Sequence, residues 1–187
     1  MDWRGFLYPR FSFFHLARGL LVAAIGAVVG GLYGIVHDQV TYSISEEYFT
    51  RNKFHQFAYA RPSFDSPRWF AGIIGFLATW WVGALVAWVL ARVSISREGQ
   101  LASPRRLAKS FAIVFSVAMA AGFCGYLYGL WRKTTGYALT WHDWMNELGI
   151  LNREAFMTVG YIHNASYLGG CLGMLAGILY LVRTGKS

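Results

Sequence analysis

The sequence has few charged residues, and very few of them are acidic. Charged residues make up 14% of the chain, whereas soluble domains contain about 25%. Asp and Glu together number 9, against 17 Lys and Arg. The basic residues flank long apolar runs and do not cluster on a hydrophilic face. This pattern argues against nucleic-acid binding and favours contact with anionic lipid headgroups.

Several signatures of common enzyme classes are also missing. The only cysteines, Cys124 and Cys171, fall at different expected depths in a bilayer, which excludes both a disulfide and a Cys-x-x-Cys redox site. The sequence contains no H-E-x-x-H or E-x-x-H metal motif, no G-x-S-x-G nucleophile elbow and no glycine-rich phosphate loop. Any chemistry must therefore come from residues that are distant in sequence.

Four apolar runs predict four transmembrane helices in an all-α integral membrane protein. The runs are Arg18–Val36, Trp69–Ala91, Leu107–Trp131 and Ala155–Val182. Crossing the hydrocarbon core takes about 20 residues. The first run follows a basic segment, as in a signal peptide, but it is too long for one and no clear cleavage site follows. We expect a retained helix and a single transmembrane domain over residues 1–187, with no room for a separate soluble domain.

Basic residues concentrate on one predicted side of the membrane. The two ends and the middle loop carry ten basic and two acidic residues, and the other two loops carry seven of each. By the positive-inside rule, both termini are expected in the cytoplasm and the two neutral loops outside. The expected location is the inner (plasma) membrane of the cell.

The chain contains an internal repeat. Gly30–Gly34 matches Gly125–Gly129, and Gly72–Ala78 matches Gly170–Ala176. Both halves enter the membrane from the same side, which predicts a duplicated helical hairpin with parallel repeats. Repeat one covers 1–93, a cytoplasmic connector covers 94–106, and repeat two covers 107–187. Glycines mostly four residues apart on one helix face predict close helix packing; they are Gly26, Gly30, Gly34, Gly125, Gly129, Gly169, Gly173 and Gly177.

Both outer loops contain helix signals. Ser43 followed by Glu46 forms a capping-box pattern, which predicts a helix from about Glu46 to Tyr59. A second short helix is expected over 141–148, and Asn152 is placed to cap the fourth span. The many aromatic side chains of the first loop favour a position at the membrane interface.

Polar residues near the predicted outer mouth form the candidate site. His163 and Asn164 lie about two turns inside the fourth span, where polar groups are costly unless they find partners or line a wet cavity. His37–Asp38 and Arg132–Lys133 occupy equivalent repeat positions, which predicts either a polarised vestibule for a charged or zwitterionic ligand or salt bridges between the loops. The candidate residues are His37, Asp38, Glu46, Glu47, Arg132, Lys133, His142, Asp143, His163 and Asn164.

Imidazole and carboxylate groups in this set could hold a transition metal. The candidate ligands are His37, Glu47, His142 and His163, whose donor types suit zinc, iron or manganese. A haem held by two histidines is disfavoured, because only His163 lies well inside a span and no second histidine is expected at its depth.

Three functions fit these observations. Small size, glycine faces and the lack of a catalytic motif favour a structural or accessory subunit, packed into a larger membrane complex or a homo-oligomer. The first alternative is a homo-oligomeric transporter or channel with an outward-facing polar vestibule. The second is a membrane metalloenzyme whose His and carboxylate site lies at the outer leaflet.

Overall fold

The computed structural model describes residues 12–62, 66–135 and 141–185. Within these ranges the chain is mainly helical and contains no strand. Four helices are long and apolar enough to cross a membrane, as the apolar runs predict. These helices indicate a multi-pass membrane protein in contact with the lipid bilayer.

The four long helices each contain 32 residues: α1 is Phe13–Ile44, α2 is Pro67–Glu98, α3 is Pro104–Thr135 and α4 is Arg153–Thr184. At 1.5 Å rise per residue each is about 48 Å long, so it exceeds a hydrocarbon core of about 30 Å. We call the end that carries residues 45–62 and 141–152 the loop end. The opposite end, with residues 99–103, is the connector end.

Glycines bring the long helices together in two pairs. Helix α1 packs along α2, and α3 packs along α4. A Cβ at Gly34 would collide with the Gly75 carbonyl oxygen, and a Cβ at Gly75 would collide with the Gly34 carbonyl oxygen. In the second pair, Gly173 lies against the backbone of Val114. All eight glycines noted in the sequence lie at one of these two interfaces, and at seven of them an added Cβ would lie less than 3.0 Å from the neighbouring helix.

The two pairs meet mainly through α4, which contacts both α2 and α1. At the connector end, the Arg106 guanidinium donates two hydrogen bonds of 2.8 Å to the Glu98 carboxylate and one of 2.9 Å to the Leu181 carbonyl oxygen. At the loop end, an apolar core forms around the fully buried Phe49 and Phe156. This core joins the first loop to the start of α4.

Helix α1 extends beyond the end that hydropathy predicts. The apolar run ends at Val36, but the helix continues to Ile44, because no glycine or proline follows to stop it. Ser43 therefore lies inside the helix and donates a hydrogen bond to the Gln39 carbonyl oxygen, so its predicted capping role is wrong. Ser45 is the cap instead, and its hydroxyl accepts a 3.3 Å hydrogen bond from the Tyr48 amide.

The helix predicted from Glu46 to Tyr59 is present as four short pieces. They are an α-helical turn at Glu46–Tyr48, a π-helical turn at Phe49–Lys53, a further turn at Phe54–Gln56 and a 3₁₀ turn at Ala58–Ala60. No sequence signal had indicated the π turn. Uncommon turns of this kind often occur at functional sites.

The helix predicted over 141–148 is confirmed at His142–Glu147. The predicted cap of the fourth span is confirmed as well, since the Asn152 side chain accepts a 3.1 Å hydrogen bond from the Ala155 amide. Short-range capping signals were therefore sufficient to locate the start of α4.

Adding one methyl group at Gly34 should loosen the first helix pair. The Cβ of a Gly34→Ala variant would collide with backbone atoms of Gly75, and overpacking of this kind costs about 1–3 kcal/mol. We expect a lower melting temperature for the detergent-solubilised protein. The matched control is Gly170→Ala, since nothing lies within 4 Å of a Cβ there. Equal melting temperatures for the two variants would contradict the packing described.

Candidate functional site

A cluster of three buried or half-buried polar side chains lies at the loop end, between α1 and α4. It comprises His37, Asp38 and His163, each of which offers one metal-ligand atom, and these atoms all lie within 4.8 Å of one another. Asp38 Oδ1 is 3.2 Å from His37 Nδ1 and 4.0 Å from His163 Nε2. Asp38 and His163 are each only 4% exposed. The cluster is therefore held within the bundle and is not a surface patch.

The extra turns of α1 explain how the cluster forms. Because α1 continues past Val36, His37 and Asp38 stay on the helix and face α4. The Ser166 hydroxyl lies 3.3 Å from His37 Nε2, so the His37 ring is held from α4 on the side away from Asp38. The sequence predicted all three cluster residues as candidates but missed Ser166, whose contact joins positions 129 apart in the chain.

His163 has a polar atom that no other described residue satisfies. Its Nε2 is buried and makes no hydrogen bond within the described part of the chain. The Tyr48 ring stacks on the imidazole with centroids 5.0 Å apart, and the His37 ring meets it edge-on at 4.7 Å. A buried polar atom without a partner costs about 1–3 kcal/mol. The stacking holds the imidazole in place while Nε2 stays available to a ligand.

The donor set and spacing suit a transition metal ion. Zinc binds His nitrogen and Asp oxygen at about 2.0–2.2 Å, which separates tetrahedral ligand atoms by about 3.3 Å. The separation of 3.2 Å between His37 and Asp38 already matches, while His163 needs to move inward. Two imidazoles and one carboxylate form the donor set typical of zinc or non-haem iron. Such a set leaves coordination positions open for a further ligand.

The two predicted acidic candidates of the first loop do not join this cluster. The Glu47 carboxylate accepts backbone hydrogen bonds from Leu151 at 3.0 Å and Asn152 at 2.7 Å. Glu46 accepts a 2.8 Å hydrogen bond from the Tyr42 hydroxyl. Glu47, a predicted metal ligand, therefore ties the first loop to the start of α4.

The candidates of the second loop are also placed elsewhere. The Arg153 guanidinium donates a 2.9 Å hydrogen bond to His142 Nδ1, so this predicted ligand pairs with the start of α4. Asp143 is exposed. Among the described residues, no ion pair joins Arg132–Lys133 to His37–Asp38. Lys133 lies 3.4 Å from Glu154 instead, and the Arg132 guanidinium lies 5.9 Å from the centre of the Trp131 ring.

An open cavity of about 560 Å³ adjoins the cluster, lined in part by Tyr48, Lys53, Asn164 and Tyr167. Burial lowers the pKa of Lys53 and raises that of Tyr48 above its usual value. The sequence had indicated Asn164 but not Lys53 or Tyr48. Both belong to a loop segment whose place beside α4 depends on tertiary contacts.

Comparison with protein family models, with curated proteins and with solved structures finds no match to this chain. The geometry of the cluster and the cavity is therefore the basis for inferring a function.

Removing the Glu47 carboxylate should destabilise the loop end without affecting the His37–Asp38–His163 cluster. A Glu47→Ala variant loses both hydrogen bonds to the backbone before α4, and bonds to a charged group contribute about 1.5–3 kcal/mol each in favourable cases. We expect a lower melting temperature and faster hydrogen exchange at the Leu151 and Asn152 amides. Glu147→Ala, at an exposed position, should behave as the wild type. Unchanged exchange in Glu47→Ala would contradict the tethering role.

Proposed function

We propose that this membrane protein binds one divalent transition metal ion at His37, Asp38 and His163. The observation that carries the proposal is the buried His163 Nε2, which has no hydrogen-bond partner among the described residues and lies 4.0 Å from Asp38 Oδ1. A metal ion would satisfy that nitrogen and neutralise the buried carboxylate. Buried charges in proteins are usually paired or bound to a metal.

The surroundings support this assignment. A ligating histidine usually donates a hydrogen bond from its other ring nitrogen to an acceptor oxygen nearby. Ser166 stands in that position for His37, at 3.3 Å from Nε2. With three protein ligands, the metal would keep open positions, which is typical of sites that bind a substrate or activate water. Of the three functions considered from the sequence, the cluster favours a membrane metalloenzyme or another metal-dependent activity.

The metal content of purified protein tests the proposal. Protein carrying no polyhistidine tag and purified in mild detergent without chelator should contain about one zinc, iron or manganese ion per chain. Asp38→Asn keeps the shape of the side chain but removes its charge, and His163→Ala removes one ligand. Each change should lower metal affinity by more than about tenfold, since even partners outside the ligand shell contribute about ten- to a hundredfold.

The control is His55→Ala, which removes an exposed histidine outside the cluster. It should retain the metal content of the wild type. Size-exclusion profiles of all variants check that the fold survives. Wild-type protein without stoichiometric metal, or variants that retain it fully, would contradict the metal-site proposal.

We further propose the inner membrane as the location, with the connector end and both termini in the cytoplasm and the loop end outside. The excess of basic residues in the two ends and the middle loop supports this orientation. We also propose that the two hairpins descend from a duplication and are related as parallel repeats. The matching glycine motifs support it, and so does the pairing of α1 with α2 and of α3 with α4.

Cysteine labelling tests the orientation. In a background with Cys124 and Cys171 replaced by alanine, we place single cysteines at the exposed positions Gln100 and Glu147. A membrane-impermeant maleimide should label Glu147→Cys in cells whose inner membrane is intact, but Gln100→Cys only after lysis. The opposite labelling pattern would contradict the proposed orientation.

The accessory-subunit function and the homo-oligomeric transporter or channel stay predictions from the sequence. The exposed apolar faces of the long helices fit lipid tails and partner helices equally well. The buried cluster is the feature that favours metal binding over either of them.

A further inference from the structure

The cavity beside the cluster is formed by three separate segments. The first loop contributes Tyr48, Asn52, Lys53 and Gln56. Asn52, Lys53 and Gln56 follow Tyr48 by four, five and eight residues. The π-helical turn at Phe49–Lys53 forms backbone hydrogen bonds between residues five apart. One face of the segment is therefore directed at the cavity.

Helix α4 and the second loop provide the other walls. Gly160, Asn164 and Tyr167 lie on one face of α4, at helical spacing, while Trp141 and Trp144 come from the second loop. Gly160 leaves room at this wall, since a Cβ there would lie no closer than 3.9 Å to Trp141 or Tyr48. The cavity therefore combines aromatic walls with amide groups.

Among the described residues that line the cavity, Lys53 is the one that carries a charge. It is half-buried, and within the described residues it forms no hydrogen bond or ion pair; Asp38 attracts it only at longer range. Burial of a lysine disfavours its charged form unless an anion is close. A ligand that brought a negative charge to Lys53 would offset that cost.

We propose that this cavity binds an organic anion, whose carboxylate or phosphate group contacts Lys53 while its apolar part lies between the aromatic walls. The amide groups of Asn52, Gln56 and Asn164 provide further hydrogen-bond donors. This inference goes beyond the metal site, and it does not depend on a metal being bound.

An aromatic cavity could also attract a cation through its ring faces. Here the Lys53 ammonium, which lines the same cavity, would repel a cation. The carboxylate that attracts Lys53, Asp38, belongs to the buried cluster and is not among the described residues that line the cavity. The charge distribution therefore favours an anion.

The cavity and the cluster share their boundary. Tyr48 lines the cavity and also stacks on His163, and Asn164 follows His163 on α4. A bound organic anion would therefore lie next to the proposed metal ion. This position fits a substrate or effector of the same site.

Binding of three probes of similar size tests the proposal. Phenyl phosphate, benzylamine and benzyl alcohol are titrated against full-length protein in phosphatidylcholine nanodiscs, after treatment with EDTA. We expect saturable binding of phenyl phosphate and none of benzylamine. Lys53→Met should weaken phenyl phosphate binding about ten- to a hundredfold, and Lys53→Arg should restore much of it.

The matched control is Lys133→Met, because Lys133 already pairs with Glu154. It should bind phenyl phosphate as the wild type does. Gly160→Leu should block binding without altering charge, because its larger side chain would occupy space at the cavity wall beside Trp141 and Tyr48. Equal binding of phenyl phosphate and benzylamine, or no effect of Lys53→Met, would overturn the proposal. Phenyl phosphate binding that is present before EDTA treatment and absent after it would also overturn the proposal, because the metal would then be what binds the anion.

The source of the anion is distinguished by the lipid. In nanodiscs that contain phosphatidylglycerol, a lipid headgroup that enters the cavity would compete with phenyl phosphate for Lys53. The measured affinity for phenyl phosphate would then fall. Unchanged affinity would indicate a soluble organic acid instead. Both outcomes support an anion site, whereas equal competition in Lys53→Met protein would contradict it.

Discussion

The close approach of helix backbones is the interaction on which the rest of this structure depends. Lipid tails are as apolar as leucine side chains, so hydrophobic burial does little to hold helices together in a bilayer. Contact between backbones takes its place here. Gly34 against Gly75 in the first pair, and Gly173 against Val114 in the second, allow each helix to lie along its neighbour. The positions of both loops follow from these two pairs.

That packing brings together polar groups that would be unfavourable alone. His37 and Asp38 lie near the loop end of α1, and His163 lies within α4. His37 and Asp38 contact each other within α1, but His37 Nε2 finds its partner, Ser166, only on α4. Ser166 satisfies one nitrogen of His37, while His163 Nε2 is left for a ligand. The cost of that buried nitrogen is what links the fold to the proposed metal site.

The segment after α1 connects the two proposed binding sites. Tyr48 stacks on His163, Phe49 is fully buried in the loop-end core, and Lys53 reaches the cavity. Within the π turn at Phe49–Lys53, Phe49 packs in the core while Lys53 lines the cavity. Glu47 then secures the segment through the backbone before α4. An ordinary loop of this length would not hold these side chains in such fixed relation.

The sequence alone determined the number of long helices, the cap at Asn152 and the short helix near 141–148. Hydropathy and capping act over a few turns, so local patterns are enough to predict them. It also drew attention to His163, as a polar residue inside an apolar run, and to His37 and Asp38, which follow the end of one. Only the tertiary structure decided that these three meet while Glu47 and His142 serve the loops. His163 lies more than a hundred residues from His37 and Asp38 along the chain, and so do Leu151 and Asn152 from Glu47. Which of them come together depends on helix packing and on where α1 ends, and neither follows from local sequence.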